Sequence, residues 1–300
     1  MTSAPTESLT TPETAARAIQ RVGVVGCGVM GAGLAEVCAR AGLDVLLISS
    51  GEAGLARGRD RLERSLAHAV RKGKITDSAR AETLARIDWT TDLGAFHERQ
   101  LVLEASPEHE PTKLDIFQAL DKVVEDPDAI LASNTSALPI ARLARATTRP
   151  GQVLGLHFFN PAPILPLVEV ISSLLTDDRP RQIAAAFVTN VLGKRAIHAG
   201  DRSGFVVNAL LIPYLLSAIR MLDAGYASAQ DIDQAMTLGC SHPMGPLALA
   251  DLIGLDTVAA IARALHEESK EPTHAAPPLL SRMVDSGLLG RKTGQGFYTY

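Results

Sequence analysis

The segment Arg21-Val-Gly-Val-Val-Gly-Cys-Gly-Val-Met-Gly-Ala-Gly-Leu-Ala-Glu36 leaves this chain few folds to choose from. Residues 21–25 form a short, Val-rich apolar run, the pattern of a strand buried on both faces. Gly26, Gly28 and Gly31 follow as G-x-G-x-x-G. The first permits a tight turn, the second lets a pyrophosphate approach the backbone, and the third lets a helix close onto the strand. A helix predicted over 30–41 starts here, so Val29 and Met30 stand where free N–H groups and the positive end of a helix meet phosphates. The glycine spacing alone is a weak signal. Val45-Leu-Leu-Ile48, a second apolar strand completing a unit of about thirty residues, makes it a strong one.

A chain of 300 residues has room for two domains. With 46% hydrophobic residues and a net charge of −4, it is not built to bind nucleic acid or a membrane. Cys27, Cys38 and Cys240 are odd in number and lack C-x-x-C spacing. They point to neither a disulfide framework nor a metal site, and to a reducing, cytoplasmic compartment. Residues 1–19 are rich in Ser, Thr, Ala and Glu without the apolar run of a signal peptide, and are expected to be a mobile tail.

Beyond residue 50, strands are predicted near Ile87 and over 101–105 and 129–132, alternating with helices over 55–74, 110–124 and 138–144. That rhythm predicts an α/β domain over 20–202, with a Rossmann-like, doubly wound, mostly parallel sheet. The strands 153–157 and 167–171 break the rhythm. Their proline-rich connection is too short for a crossover helix, so they should pair antiparallel. A helix over 176–192 and a last strand at 195–198 complete the domain. After the turn-rich linker 199–204, apolar-periodic segments at 205–222, 229–238, 246–253 and 256–268 predict an all-helical C-terminal domain, residues 203–300. Its surplus of Leu, Ala and Ile suits burial against a second copy.

A hairpin turning symmetrically about Pro163 sets His157 opposite Glu169, on one face of the sheet and about 5 Å apart at the backbone. A carboxylate orients an imidazole, holds one tautomer and stabilises the imidazolium. Such a pair can exchange a proton with a substrate alcohol while hydride moves to or from a nicotinamide; the plainer reading is a structural ion pair. Ser133-Asn134-Thr-Ser136 closes the 129–132 strand at the edge where open α/β sheets bind ligands. Asn134 and Ser136 could hydrogen-bond a reacting oxygen or the nicotinamide, or simply cap the next helix. Asn208 could reach a cleft from the helix entering the second domain, or be a buried structural amide. The helix carrying Arg57, Arg61 and Arg64 has a positive surplus, either a solvated face or a seat for the phosphates of a bulky anionic substrate.

These residues resemble the 3-hydroxyacyl-CoA dehydrogenase family, particularly its 3-hydroxybutyryl-CoA dehydrogenases. The likeness runs in order through the glycine loop, Ser133-Asn-Thr-Ser136, His157-Phe-Phe-Asn-Pro161, Leu167-Val-Glu-Val170 and Gly204-Phe-Val-Val-Asn208. It continues through His242-Pro-Met-Gly-Pro246, Asp251-Leu-Ile-Gly-Leu-Asp256 and Gly290-Arg-Lys-Thr-Gly-Gln-Gly-Phe-Tyr298. The resemblance implies reversible NAD- or NADP-linked interconversion of (S)-3-hydroxyacyl and 3-oxoacyl thioesters. It implies that His157 is the acid/base and Glu169 its partner, and that Ser136, Asn160 and Asn208 hold substrate. It also implies that Glu104 and Lys113 lie along the cofactor, that the basic helix lies near coenzyme A, and that the helical domain makes a homodimer.

The chain departs from the family at two places. Ser49 and Ser50 stand where this fold usually carries an acid for the adenosine ribose, which opens the way to NADP. Ala209 stands where the family commonly has Arg after the Asn, so a carrier-protein-bound acyl group is a further candidate substrate. Two other readings are a dehydrogenase of free hydroxy or sugar acids, resembling lambda-crystallin and gulonate dehydrogenase, and a non-catalytic dinucleotide-binding protein.

Overall fold

The computed structural model describes residues 10–300, and a division between Asp201 and Arg202 separates two compact units. The first holds strands β1 (Arg21–Val25), β2 (Asp44–Ile48), β3 (Ile87–Thr90), β4 (Leu101–Glu104), β5 (Ile130–Ser133), β6 (Val153–Phe158), β7 (Leu167–Ser172) and β8 (Arg195–Gly200). They form one sheet in the order β3-β2-β1-β4-β5-β6-β7-β8. Every neighbour pair is parallel except β6 with β7. Chain order reverses at β1, which lies between β2 and β4, and open sheets of this kind bind ligands outside the carboxyl ends of the strands at such a point.

The helices of this unit are α1 (Pro12–Ala18), α2 (Val29–Arg40), α3 (Glu52–Arg71), α4 (Asp77–Ala85), α5 (Glu110–Val123), α6 (Ile140–Arg145) and α7 (Asp178–Ala186). Two glycines fix the geometry of the first turn. Gly26 has φ +106°, and a Cβ on Gly31 would stand 1.7 Å from the Gly26 carbonyl oxygen. Any larger residue at 31 would force α2 off β1. Val22, Val24, Leu47, Leu103 and Leu156 are all at most 1% exposed and belong to a core continuous with Leu34 of α2 and Phe187 after α7.

Two expectations need correction. Residues 1–9 lie outside the described residues, but the expected tail does not extend to 19: α1 occupies 12–18. Thr11 caps it by accepting from the Thr14 N–H, Pro12 opens its first turn, and Ala16 is fully buried. The helix expected over 176–192 stops at Ala186, and a wider π-turn, Phe187–Val191, takes over.

The second unit contains α8 (Val207–Asp223), α9 (Ala229–Gly239), α10 (Pro246–Ile253), α11 (Leu255–Ser269) and α12 (Pro278–Asp285). Ile212, Leu215, Leu216 and Ile219 line one face of α8 at helical spacing and join Leu247, Val258 and Leu280 in its core. Two buried carboxylates hold the loops. Asp233 accepts from the Leu247 and Ala248 N–H groups at the start of α10 (2.8 and 2.9 Å). Asp251 accepts from the Phe297 and Tyr298 N–H groups and the Tyr300 hydroxyl, all at 3.0 Å. The motifs around Asp251 and Gly290 are thus two halves of one structural clasp.

Candidate active site

The β6–β7 register sets His157 opposite Glu169, as a turn symmetric about Pro163 requires. Nδ1 of His157 lies 2.7 Å from Oε2 of Glu169, and the two residues are 4% and 0% exposed. The carboxylate can only accept from Nδ1, so that nitrogen carries the proton in the neutral ring and Nε2 keeps its lone pair. Nε2 in turn faces Ser136 Oγ at 3.1 Å. Phe159 meets the imidazole edge-on at 4.6 Å between centroids and restrains its rotation. His157 lies near the carboxyl end of β6, on the sheet edge that also carries the glycine turn after β1.

Ser136 is held by a neighbouring network at the ends of β4 and β5. Glu104 accepts from Lys113 Nζ at both oxygens (2.8 Å), from Ser133 Oγ at 2.7 Å, and from the Ser106 N–H and hydroxyl at 2.7 and 2.5 Å. Lys113 also lies 3.5 Å from Glu108. Glu108 receives the Thr135 hydroxyl and, at 3.2 Å, the Ser136 N–H. A chain of polar contacts therefore runs from Glu104 to the hydroxyl that meets His157. Glu108 and Thr135 were not legible as site residues: no spacing rule relates 108 to 135, and only folding brings the two loops together.

Glu104 and Lys113, expected along a cofactor, are 0% and 1% exposed, and each offsets the burial of the other by pairing. Their chain neighbours Ala105, Ser106 and Thr112 line the cleft at the glycine turn. Asn134 is likewise engaged, accepting from the Phe158 N–H at 2.8 Å and so fixing the end of β6 to the loop after β5.

A cleft of about 810 Å³ opens at the glycine turn, lined among others by Gly26, Gly28, Met30, Ser49, Ser50 and Ile116. It fits a dinucleotide. Nothing stands within 4 Å of where a Cβ on Gly28 would be, so the backbone is open to a diphosphate. The first N–H groups of α2 have no side-chain cap. Cys27 sits in the turn with its Sγ donating to the Ile48 carbonyl at 3.5 Å. Burial pushes its thiol up to about 11, against a weaker opposing hydrogen bond from Ser49 and the charges of Arg61 and Arg59.

A second cavity, about 340 Å³, brings Arg61 and Arg64 together with Asn160 across α2 and α3. Glu36 in its wall is 1% exposed and is held by Ser65 (2.6 Å) and Arg40 (3.3 Å). Arg57 lines the first cleft, which Arg61 also borders. Asn208 is 9% exposed in the first turn of α8, in the second unit. Among the described residues no cluster of His, Cys, Asp or Glu could hold a metal, and no helix is long and apolar enough to cross a membrane.

Comparison with known proteins agrees with this geometry. Residues 21–202 match the profile of the 3-hydroxyacyl-CoA dehydrogenase NAD binding domain, and residues 204–300 that of the 3-hydroxyacyl-CoA dehydrogenase C-terminal domain. A 3-hydroxybutyryl-CoA dehydrogenase of Mycobacterium tuberculosis is 56% identical over 283 residues, 94% of this chain and 99% of that protein. The crystal structure of M. tuberculosis FadB2 superposes with a TM-score of 0.94 at 56% identity, covering 94% of this chain and 99% of that one. The (S)-3-hydroxybutyryl-CoA dehydrogenase of Ralstonia eutropha superposes with a TM-score of 0.89 at 41% identity, again over 94% and 99%. With both domain profiles spanning nearly the whole chain and a histidine–carboxylate pair beside a dinucleotide cleft, this protein belongs to the 3-hydroxyacyl-CoA dehydrogenase family.

Proposed function

We propose that the protein interconverts (S)-3-hydroxyacyl-CoA and 3-oxoacyl-CoA of short chain length, with 3-hydroxybutyryl-CoA as the type of substrate. The observation that carries the reading is the arrangement of His157, with Glu169 fixed on Nδ1 and Nε2 turned to Ser136. A nicotinamide dinucleotide bound in the cleft supplies the acceptor or donor of hydride. His157 does the proton chemistry: Nε2 takes the hydroxyl proton of the substrate during oxidation and returns it to the carbonyl oxygen during reduction. Glu169 stabilises the imidazolium formed in the first case, and the Ser136 hydroxyl holds the reacting oxygen within reach of Nε2. Arg61 and Arg64 are proposed to hold the phosphates of coenzyme A at the smaller cavity with Asn160 beside them, because guanidinium forks match phosphate geometry. Asn208 enters this reading as a substrate-holding residue on the family resemblance alone.

A homodimer through the helical unit is part of the proposal, supported by Leu210, Leu238 and Tyr226, which are 73%, 81% and 83% exposed. Light scattering on the purified protein checks it. A cytoplasmic location is supported by the three free thiols. The deciding assay compares acetoacetyl-CoA, acetoacetyl on a carrier protein, and free acetoacetate as oxidants of reduced cofactor. Turnover of the CoA ester is expected to exceed both others by a wide margin. Preference for the carrier-bound or the free acid would overturn the substrate assignment.

A further inference from the structure

The position directly after the second strand governs how a cleft of this kind treats the adenosine ribose. A carboxylate there binds the 2′-hydroxyl and repels a 2′-phosphate, whereas a nearby Arg accommodates the phosphate. In this chain Ile48 ends β2, and Ser49 and Ser50 follow it. Both line the larger cleft, whose charged lining residues are Arg57 and Arg61, with no Asp or Glu among them.

The acidic residues of α3 do not restore a carboxylate to the cleft. Asp60 is paired with Arg64 at 2.8 Å, and Glu52 and Glu63 are not among its walls. The Cys27 thiol, with its pKa near 11, adds no negative charge at neutral pH. Arg61 is anchored at the glycine turn by donating from Nη1 to the Cys27 carbonyl at 3.1 Å. Arg57 has no ion-pair partner among the described residues, so its charge is free to meet an anion in the cleft. Gly54 makes room at the same place: a Cβ there would stand 1.9 Å from Ser49 Oγ.

We infer that Ser49, Ser50 and Arg57 form a seat for a ribose 2′-phosphate, so that the cleft takes NADP(H) in preference to NAD(H). Two hydroxyls donate to the phosphate oxygens, and one exposed guanidinium supplies the counter-charge. The inference rests on the cleft being a dinucleotide site, and the two ideas can fail separately.

The test is calorimetric titration of the full-length protein with 2′,5′-ADP and with 5′-AMP, which differ only in the 2′-phosphate. The 2′,5′-ADP is expected to bind roughly tenfold tighter or better, the worth of one hydrogen bond to a charged group. Arg57→Ala, at an exposed position whose effect on folding is checked by a thermal melt, should remove most of that advantage and leave 5′-AMP binding nearly unchanged. Ser49→Asp should reverse the order of the two ligands. Equal or tighter binding of 5′-AMP by the unmodified protein would overturn the inference, as would an Arg57→Ala variant that weakens both ligands alike. Failure of both fragments, and of NADH and NADPH followed by nicotinamide fluorescence, would overturn the dinucleotide reading itself.

Discussion

Two buried pairs in the first unit each join a carboxylate to a basic side chain, Glu104 of β4 with Lys113 of α5 and Glu169 of β7 with His157 of β6, and they are built differently. Glu104 and Lys113 close on one another, and the carboxylate also receives three hydrogen bonds from Ser106 and Ser133. Glu169 holds the Nδ1 side of His157, and the far nitrogen of the ring is directed to Ser136. The closed pair ties the loop after β4 to β5 and α5. The open one has a proton-accepting atom aimed at a small hydroxyl, which is what an acid/base must offer a substrate. Burial and pairing with a carboxylate are common to both, so neither marks the chemistry. What distinguishes them is that Nε2 of His157 meets a hydroxyl, whereas Lys113 Nζ meets carboxylate and carbonyl oxygens.

Breaking the two pairs should therefore give different kinds of damage. His157→Gln should lower kcat by about 10⁴-fold, the upper end of what a positioned acid/base contributes, with little change in thermal unfolding; steady-state turnover of acetoacetyl-CoA and a melting curve check it together. Lys113→Met should do the reverse. Removing one member of a buried pair costs about 3–5 kcal/mol in stability, read by denaturant unfolding, while activity per folded molecule falls far less. Adding Glu104→Leu to that variant should recover much of the loss, because the stranded carboxylate is then gone.

Ser136→Ala sharpens the contrast at its boundary, since this hydroxyl belongs to the open pair but its backbone belongs to the closed network. It should cost roughly tenfold in kcat, about the worth of one hydrogen bond, and little in stability. The smallest effect concerns the thiols. Exposed Cys240 should react with iodoacetamide at pH 8, while Cys27 and Cys38, pushed up by burial to about 11 and about 12, stay unmodified. Because both are raised above the ordinary value of 9.0, their contribution to stability is complete below pH 9 and is lost as pH rises through the folded values. Mass spectrometry of the alkylated chain, and urea unfolding at pH 8 and pH 10, check the two statements.

How much of this was legible in the sequence depends on the range of the rule involved. The glycine turn, the alternation of strands and helices and the pairing of His157 with Glu169 follow from local periodicity and from one short hairpin, so they can be read directly. The closed network could not be. Glu104 of β4, Ser133 of β5, Lys113 of α5 and Glu108 of the loop between β4 and α5 meet only once the chain has folded. Helix α1 was missed for a different reason: a Ser/Thr-rich composition concealed a Thr cap followed by Pro, which is itself a helix-start signal. The motif residues Asp251 and Gly290, which the sequence shows only as part of the family resemblance, hold a loop, and a Cβ on Gly290 would stand 2.3 Å from the Asp251 carbonyl oxygen.

The central claim is that the imidazole and its carboxylate act as one unit. A double-mutant cycle on kcat tests it most directly, using His157→Gln, Glu169→Gln and the two combined. The account predicts that Glu169→Gln alone costs about 10²-fold and that the double variant is no slower than His157→Gln. Losses that multiply in the double variant would show two independent contributions and contradict the account.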